Sequence, residues 1–194
     1  MTKRHRSIAR GAAPLLAFAA LLFGSVASAG ATTASEQINA GTLSFINSTP
    51  ANITFPATTL NGTNQTQTQT QAFDVSDATG TNAGWNIQAT STTFTAGSHT
   101  LPTTATTVAS APADACDASS TCTLATNSIS YAYSLPAAAT APTATKLFNA
   151  AANTGMGAQT ITPTWSLAVP SSAWAGGAGT PYTSTWTLTL VSGP

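Results

Sequence analysis

The fold of this chain is indicated by the stretch at its C-terminal end, Tyr182-Thr-Ser-Thr-Trp-Thr-Leu-Thr-Leu-Val-Ser-Gly-Pro194. Its large apolar residues, Trp186, Leu188 and Leu190, occur at every second position with threonines between them. This is the period of a β-strand with one apolar and one polar face, and both threonine and tryptophan favour strands. The stretch therefore predicts a half-buried final strand that stops at the closing Gly-Pro.

The same Trp-x-aliphatic unit occurs twice more, as Trp85-Asn-Ile87 and Trp165-Ser-Leu167. Alternation of apolar and polar residues also marks residues 41–46 and 129–135, and turn signals such as Asn61-Gly62 lie between such segments. No segment gives a convincing helical period. We predict an all-β fold, an antiparallel β-sandwich of Ig-like or jelly-roll-like type with about seven or more short strands.

Three segments depart from simple alternation. Residues 96–125 alternate weakly and predict a loop-rich excursion. Residues 146–153 could form a helical turn or two before Gly155 ends them. Residues 161–169 predict one strand with an edge or irregular start at Pro163, because proline lacks the N–H that a ladder needs.

The N-terminus has the three parts of a secretory signal peptide. Basic residues come first, an apolar run follows over 12–26, and Ala27-Ser-Ala29 supplies the small residues of a cleavage site. We predict that residues 1–29 are removed. The alternative is an uncleaved membrane anchor, for which the run is shorter than the roughly 20 residues of a span. Residues 30–40 then form a polar lead-in, and residues 41–194 form a single β domain.

The charge of the chain excludes several classes of partner. Most basic residues lie in the predicted signal peptide, so residues 30–194 contain one lysine, Lys146, and no arginine, against five acidic residues. A chain with so little positive charge cannot clamp phosphates, so nucleic acid is not an expected partner. Attraction to an anionic membrane surface, or insertion after signal cleavage, is not expected either.

Two segments together resemble the WxL-domain family of secreted bacterial surface proteins. Asp77-Ala-Thr-Gly-Thr-Asn-Ala-Gly-Trp-Asn-Ile87 is similar to the family's D-x-x-G-x-x-x-G-W segment and first Trp-x-Leu motif, with Ile87 in place of leucine. Trp186-Thr-Leu188 fits the second motif directly. The resemblance spans residues 41–194. It implies non-covalent attachment to the bacterial cell wall, with peptidoglycan or another wall polymer as the ligand.

The candidate binding residues are the tryptophans and their motif partners. An aromatic surface can pack on the C–H faces of sugar rings while neighbouring polar side chains hydrogen-bond. The alternative is that tryptophans on strands pack inside the sandwich, which their alternation with aliphatic residues favours. Trp174 lies in a Gly-rich loop, so it is the tryptophan that we expect to be exposed. The candidate contacts are Trp85, Ile87, Trp165, Trp174, Trp186 and Leu188.

The two cysteines, Cys116 and Cys122, are close in sequence. In an exported chain this spacing predicts a disulfide that closes a small loop. A zinc site is the alternative, but two sulfurs and one histidine beyond residue 29 are too few ligands.

The sequence contains few residues that could support catalysis or bind a metal. His99 is the one histidine beyond residue 29, so no acid–base set is evident, although a Ser-His-Asp triad assembled in space is an alternative. Asp74 with Asp77, and Asp114 with Asp117, could bind calcium, but aspartates at such positions usually cap turns. We therefore predict a protein that is not an enzyme and that holds no metal and no cofactor.

Taken together, these features predict a secreted, non-enzymatic protein that binds the bacterial cell wall at the cell surface. The alternative is a self-associating structural subunit of a surface layer or filament. The Thr/Gln-rich segment at residues 65–75 suits strand pairing between copies. Under that alternative, other surface proteins or further copies of the chain are the partners.

Overall fold

The computed structural model describes residues 30–194, which form fourteen β-strands and no helix. The prediction of an all-β, largely antiparallel fold is confirmed, whereas the predicted signal peptide, residues 1–29, lies outside the described residues. In chain order the strands are β1 (Leu43–Phe45), β2 (Gln65–Thr70), β3 (Phe73–Asp77), β4 (Trp85–Thr92), β5 (Thr95–Ala96), β6 (His99–Thr100), β7 (Thr106–Val108), β8 (Ala113–Cys116), β9 (Tyr133–Ser134), β10 (Ala137–Ala138), β11 (Thr145–Ala150), β12 (Gly157–Thr162), β13 (Thr164–Val169) and β14 (Trp186–Ser192).

The chain divides into two compact units, and one of them, Ile38–Pro194, contains all fourteen strands. Residues 30–37, which are the described part of the other unit, are exposed and form no strand. Within residues 30–194 no helix is long and apolar enough to cross a membrane.

Strand β4 is the centre of one sheet. Along one edge it pairs antiparallel with β14, from Trp186 opposite Ser91 to Ser192 opposite Trp85. Along the other edge β11 pairs antiparallel with its first half, and the short β10 pairs parallel with its end. Both edges of β4 are therefore bonded, and most of its residues are buried on both faces.

Two further sheets meet where the chain passes from one sheet to the other at two neighbouring points. One has the strand order β1-β3-β12-β8 and the other β2-β13-β7-β9. The chain passes from β2 to β3 at Gln71, and from β12 to β13 at Pro163, where the Gln71 N–H donates to the Pro163 carbonyl at 3.2 Å. Proline has no N–H, so the ladder is interrupted there. The prediction of one strand from Ile161 to Val169 was therefore wrong, because these two residues lie in different sheets.

Side chains from all three of these sheets form one buried core, as expected for sheets that pack face to face. Its largest fully buried members are Trp85, Trp165, Phe73 and Phe148. The partly buried Trp186 and the leucines of β14 pack against it from the edge of the β4 sheet.

The structure of two segments differs from the one predicted from the sequence. Residues 129–135 keep the expected alternation of burial, but only Tyr133–Ser134 pairs as a strand, because β7 alone lies beside them. The segment from Lys146 forms strand β11 rather than a helical turn, because pairing with β4 buries Leu147 and Phe148.

The loop-rich excursion, residues 96–125, also carries more structure than predicted. It includes β7, which pairs with β13, and β8, which pairs with β12. Weak alternation hid these strands because each is short and gains its order from a longer neighbour.

Buried and exposed tryptophans should contribute differently to the stability of the fold. We expect Trp85→Ala to lower the free energy of unfolding by about 3–5 kcal/mol, because it empties a fully buried site. The matched Trp174→Ala, at a side chain that is 41% exposed, should change it by roughly 0.5 kcal/mol. Urea unfolding followed by circular dichroism measures both, and equal losses would contradict the assignment.

Candidate functional site

The two segments that contain Trp85-Asn-Ile87 and Trp186-Thr-Leu188 are bonded to each other. Beyond the β4–β14 ladder, the Gly193 N–H donates to the Gly84 carbonyl at 2.9 Å. The Asn86 side-chain amide donates to the Gly193 carbonyl at 2.6 Å. The closing glycine thus fastens the end of the last strand to the start of β4.

The glycines and the aspartate before Trp85 have structural roles. Asp77 is buried and caps the turn that follows, accepting hydrogen bonds from the Thr79 N–H at 3.0 Å and the Thr79 hydroxyl at 2.7 Å. Gly84 has a φ of +75°, and a Cβ there would collide with the Ala150 carbonyl. Only glycine fits this close approach of β4 to β11 without strain.

Three of the candidate contact residues are core side chains. Trp85, Ile87 and Trp165 have no exposed surface. Each indole N–H is satisfied internally, by the Gly155 carbonyl at 2.8 Å for Trp85 and by the Gln71 side chain at 3.0 Å for Trp165. A surface ligand therefore has no access to these three residues in this structure, and the buried alternative describes them.

The other motif residues, Trp186 and Leu188, are half-buried at the edge of the β4 sheet. The Trp186 ring meets Trp165 edge-on at 4.7 Å between centroids, and it lies within 6.3–6.4 Å of Phe94 and Phe55. Trp186, Phe55, Phe94 and Leu188 line a groove of about 1180 Å³, which Trp174 and Tyr182 also line. Sequence reasoning missed Phe55 and Phe94, because single phenylalanines outside a strand period give no distinctive signal.

Trp174 is the most exposed tryptophan, at 41%. The His99 ring stacks on it at 4.6 Å with only 8° between the ring planes. The indole also packs closely against Gly176, where a Cβ would collide with it. The side chain is thus held in place although it lies in a loop.

A shallow pocket of about 790 Å³ surrounds Trp174 and His99, and Leu101 and Tyr182 also line it. His99 enters the pocket as the stacking partner of Trp174. Sequence reasoning missed Tyr182 as a pocket residue, because it precedes the final alternating run and gives no separate signal.

The pocket and the groove have nearly neutral linings. Neither contains an aspartate, glutamate, lysine or arginine, and His99 is the sole titratable group of these walls besides tyrosine. The polar groups of these linings come from threonine, serine, tyrosine, asparagine and glutamine side chains and from the backbone. Such a lining suits an uncharged ligand, since a charged group would lose its hydration here without gaining a counter-charge.

The predicted disulfide is present, with the Cα atoms of Cys116 and Cys122 5.5 Å apart. It closes the loop that follows β8. Asp117 in that loop and Asp74 on β3 both hydrogen-bond the Thr160 hydroxyl, at 2.7 and 2.8 Å. Among residues 30–194 no three acidic, histidine or cysteine side chains are grouped as metal ligands would be.

Loss of the disulfide should weaken the fold. The Cys116→Ser/Cys122→Ser double variant is expected to lose about 2 kcal/mol of unfolding free energy, because the unfolded chain regains the freedom that the closed loop removes. Urea unfolding of the variant and of the oxidised wild type measures this. Unchanged stability would show that the loop does not restrain the unfolded chain.

Asp114 makes the stability of the fold depend on pH. Burial raises the pKa of this carboxyl above its ordinary value of 3.8, while the Ala125 N–H, donating at 2.7 Å, opposes the shift. Because the pKa of Asp114 is higher in the folded protein, its contribution to the free energy of unfolding is greatest below pH 3.8. This contribution is lost as pH rises through the pKa of the folded protein.

Replacing this carboxyl should therefore flatten the profile. We expect the stability of Asp114→Asn relative to wild type to increase as pH rises above 3.8, and then to level off. Thermal unfolding at a series of pH values measures the difference. A relative stability that falls over the same window would contradict the direction of the shift.

Comparison with known proteins gives one result. A family model described as WxL domain, surface cell wall-binding, matches residues 16–194, which is nearly the whole chain. No curated protein and no solved structure matches the chain.

Proposed function

This chain belongs to the WxL-domain family of surface proteins that bind the cell wall, and on that premise we propose that it is a non-enzymatic module that binds an uncharged glycan of the wall through the Trp174 pocket. Cell-surface localisation follows from the family. Secretion by cleavage of residues 1–29, and a single wall-binding domain over residues 41–194, are parts of the proposal.

The observation that carries the proposal is the fixed, exposed indole of Trp174. Sugar rings present C–H faces that pack on aromatic rings, and a ring already held in place loses little entropy when it binds. The stack on His99 and the packing on Gly176 supply that restraint. Tyr182 and the Thr100 hydroxyl in the same pocket can hydrogen-bond sugar hydroxyls.

The charge of the described chain favours a neutral polymer over an anionic one. Lys146 is the sole lysine or arginine of residues 30–194, and its ammonium donates to the Pro194 carbonyl at 2.6 Å, away from the pocket lining. Polyphosphate-type wall polymers need clustered cations for tight binding. The glycan portion of peptidoglycan is the polymer class that fits this neutral surface.

The non-enzymatic part of the proposal is supported by the position of His99. Its ring stacks on Trp174, in a pocket that contains no carboxylate. A general base needs a partner that orients it and a nucleophile within hydrogen-bond reach. A stacked imidazole without a carboxylate beside it suits binding better than proton transfer.

Co-sedimentation with purified cell wall tests the proposal. We expect Trp174→Ala to weaken binding by about tenfold or more, because buried aromatic contacts dominate the affinity of such sites. Leu124→Ala is the matched control, since Leu124 is 49% exposed but lies outside the lining of the pocket. Circular dichroism confirms that both variants fold.

The opposite pattern would overturn the proposal. Unchanged wall binding by a folded Trp174→Ala variant would remove the Trp174 pocket as the binding site. Release of soluble sugar fragments from the wall by the wild-type protein would contradict its non-enzymatic character.

A self-associating structural subunit is a second candidate, and the edge strand β2 favours it. β2 pairs with β13 alone. The Gln71 N–H donates to the Pro163 carbonyl, and residues that bond to the partner strand alternate with residues that do not. The peptide groups of Thr66, Thr68 and Thr70 therefore point away from β13. Such an edge can pair with another copy. Elution of the pure protein as large species without any wall would favour this candidate.

A further inference from the structure

The strand β14 leaves one backbone edge open beside the groove. β14 pairs with β4 alone. The Thr92 N–H donates to the Thr185 carbonyl at 2.9 Å, and the Gly193 N–H donates to Gly84 at 2.9 Å. In an antiparallel ladder bonded residues alternate with residues that point outward. The N–H and C=O groups of Trp186 and Leu188 therefore point away from β4.

Another wall of this groove is a segment without strand or helix, residues 51–60, here called the strap. Within the part of the chain that the structure describes, the strap forms no backbone–backbone hydrogen bond. Two glutamine side chains of the β2 region hold it, with Gln65 donating to the Thr59 carbonyl at 2.8 Å and Gln71 to the Ala51 carbonyl at 2.6 Å. The strap thus places a second stretch of backbone without backbone partners beside the groove.

The groove floor between these walls is apolar. Phe55 of the strap, Phe94 and Trp186 meet one another at 6.3–6.4 Å between ring centroids. The strand β1 lies close to β14 without bonding to it, and the groove is lined by β14 from Trp186 to Leu188. The open part of the edge is therefore the part near Trp186 and Leu188.

We propose that this groove is a strand-addition site, in which an extended, uncharged polypeptide segment of a partner surface protein inserts between β14 and the strap. An added strand matches the spacing of the outward N–H and C=O groups at alternate residues of β14. Its alternate apolar side chains cover the rings of the floor. The lining has no charged residue, so a segment with charges would be excluded.

This partner surface adjoins the proposed glycan contact, because Trp174 and Tyr182 line both the groove and the pocket. The peptide would bond to the backbone of Trp186 and Leu188, whereas the glycan would pack on the exposed indole of Trp174. A polypeptide is favoured over a glycan for the groove because the unpaired groups on β14 repeat with the period of a β-strand. Variants that change the outward backbone groups of β14 and variants that remove the Trp174 ring therefore test different contacts.

Amide hydrogen exchange, measured by NMR on the protein with a capped heptapeptide of alternating threonine and valine, tests the proposal. In the free protein the amides of Thr187 and Thr189 should be protected by β4, while those of Trp186 and Leu188 exchange quickly. The peptide should slow exchange at Trp186 and Leu188 by about tenfold or more. A peptide with N-methyl groups at every residue is the control, since it cannot donate to β14 from either edge.

A second variant keeps the test independent of the side chains. Leu188→Pro removes the outward N–H but no bond to β4, and proline is tolerated at such edge positions. It should weaken binding of the heptapeptide at least about fivefold, whereas Leu188→Ile, which keeps the N–H, should not. If Leu188→Pro does not fold, the exchange pattern of the wild-type protein decides the question.

Several results would overturn the proposal. The first is protection of Trp186 and Leu188 in the free protein equal to that of Thr187. The second is equal binding of the N-methylated peptide, which would show an apolar pocket without strand pairing. The third is protection of these amides by a soluble chitin oligosaccharide and not by the heptapeptide, which would assign the groove to a glycan. Loss of wall binding in Trp174→Ala with peptide binding intact would leave the proposal standing.

Discussion

Pairing of β4 on both of its edges is the constraint on which the rest of this structure depends. β14 and β11 bond to β4 from opposite sides, so the first Trp-x-aliphatic segment lies beside the last strand of the chain. Trp85 then projects into the core, where its indole N–H reaches the Gly155 carbonyl. Burial of a large aromatic side chain contributes several kcal/mol to the fold, provided that its polar atom has a partner.

This arrangement separates the tryptophans that build the core from Trp174, which is the most exposed. Trp85 and Trp165 use both ring and indole N–H inside the protein. Their indoles therefore lie in the core and form no part of the surface. The exposed aromatic surface comes from a loop, where Trp174 stacks on His99 beside a neutral pocket. A rigid sandwich with variable loops allows binding to change while the core is kept.

The sequence predicted the fold class, the disulfide and the exposure of Trp174, because alternation, cysteine spacing and a Gly-rich loop are local signals. It did not predict β7 and β8, whose order comes from pairing with distant strands. It joined β12 and β13 across Pro163, since a change of sheet leaves no mark in a periodic pattern. The stack on His99 was also beyond reach, because the two rings are distant in sequence and meet only in the fold.

The most direct test of the account follows the indole N–H signals of the tryptophans by NMR while soluble peptidoglycan fragments are added. The Trp174 signal should shift, whereas the signals of Trp85 and Trp165, bonded to Gly155 and Gln71, should stay in place. Shifts at Trp85 and Trp165 with an unmoved Trp174 would contradict it. They would show that the motif tryptophans contact the wall themselves.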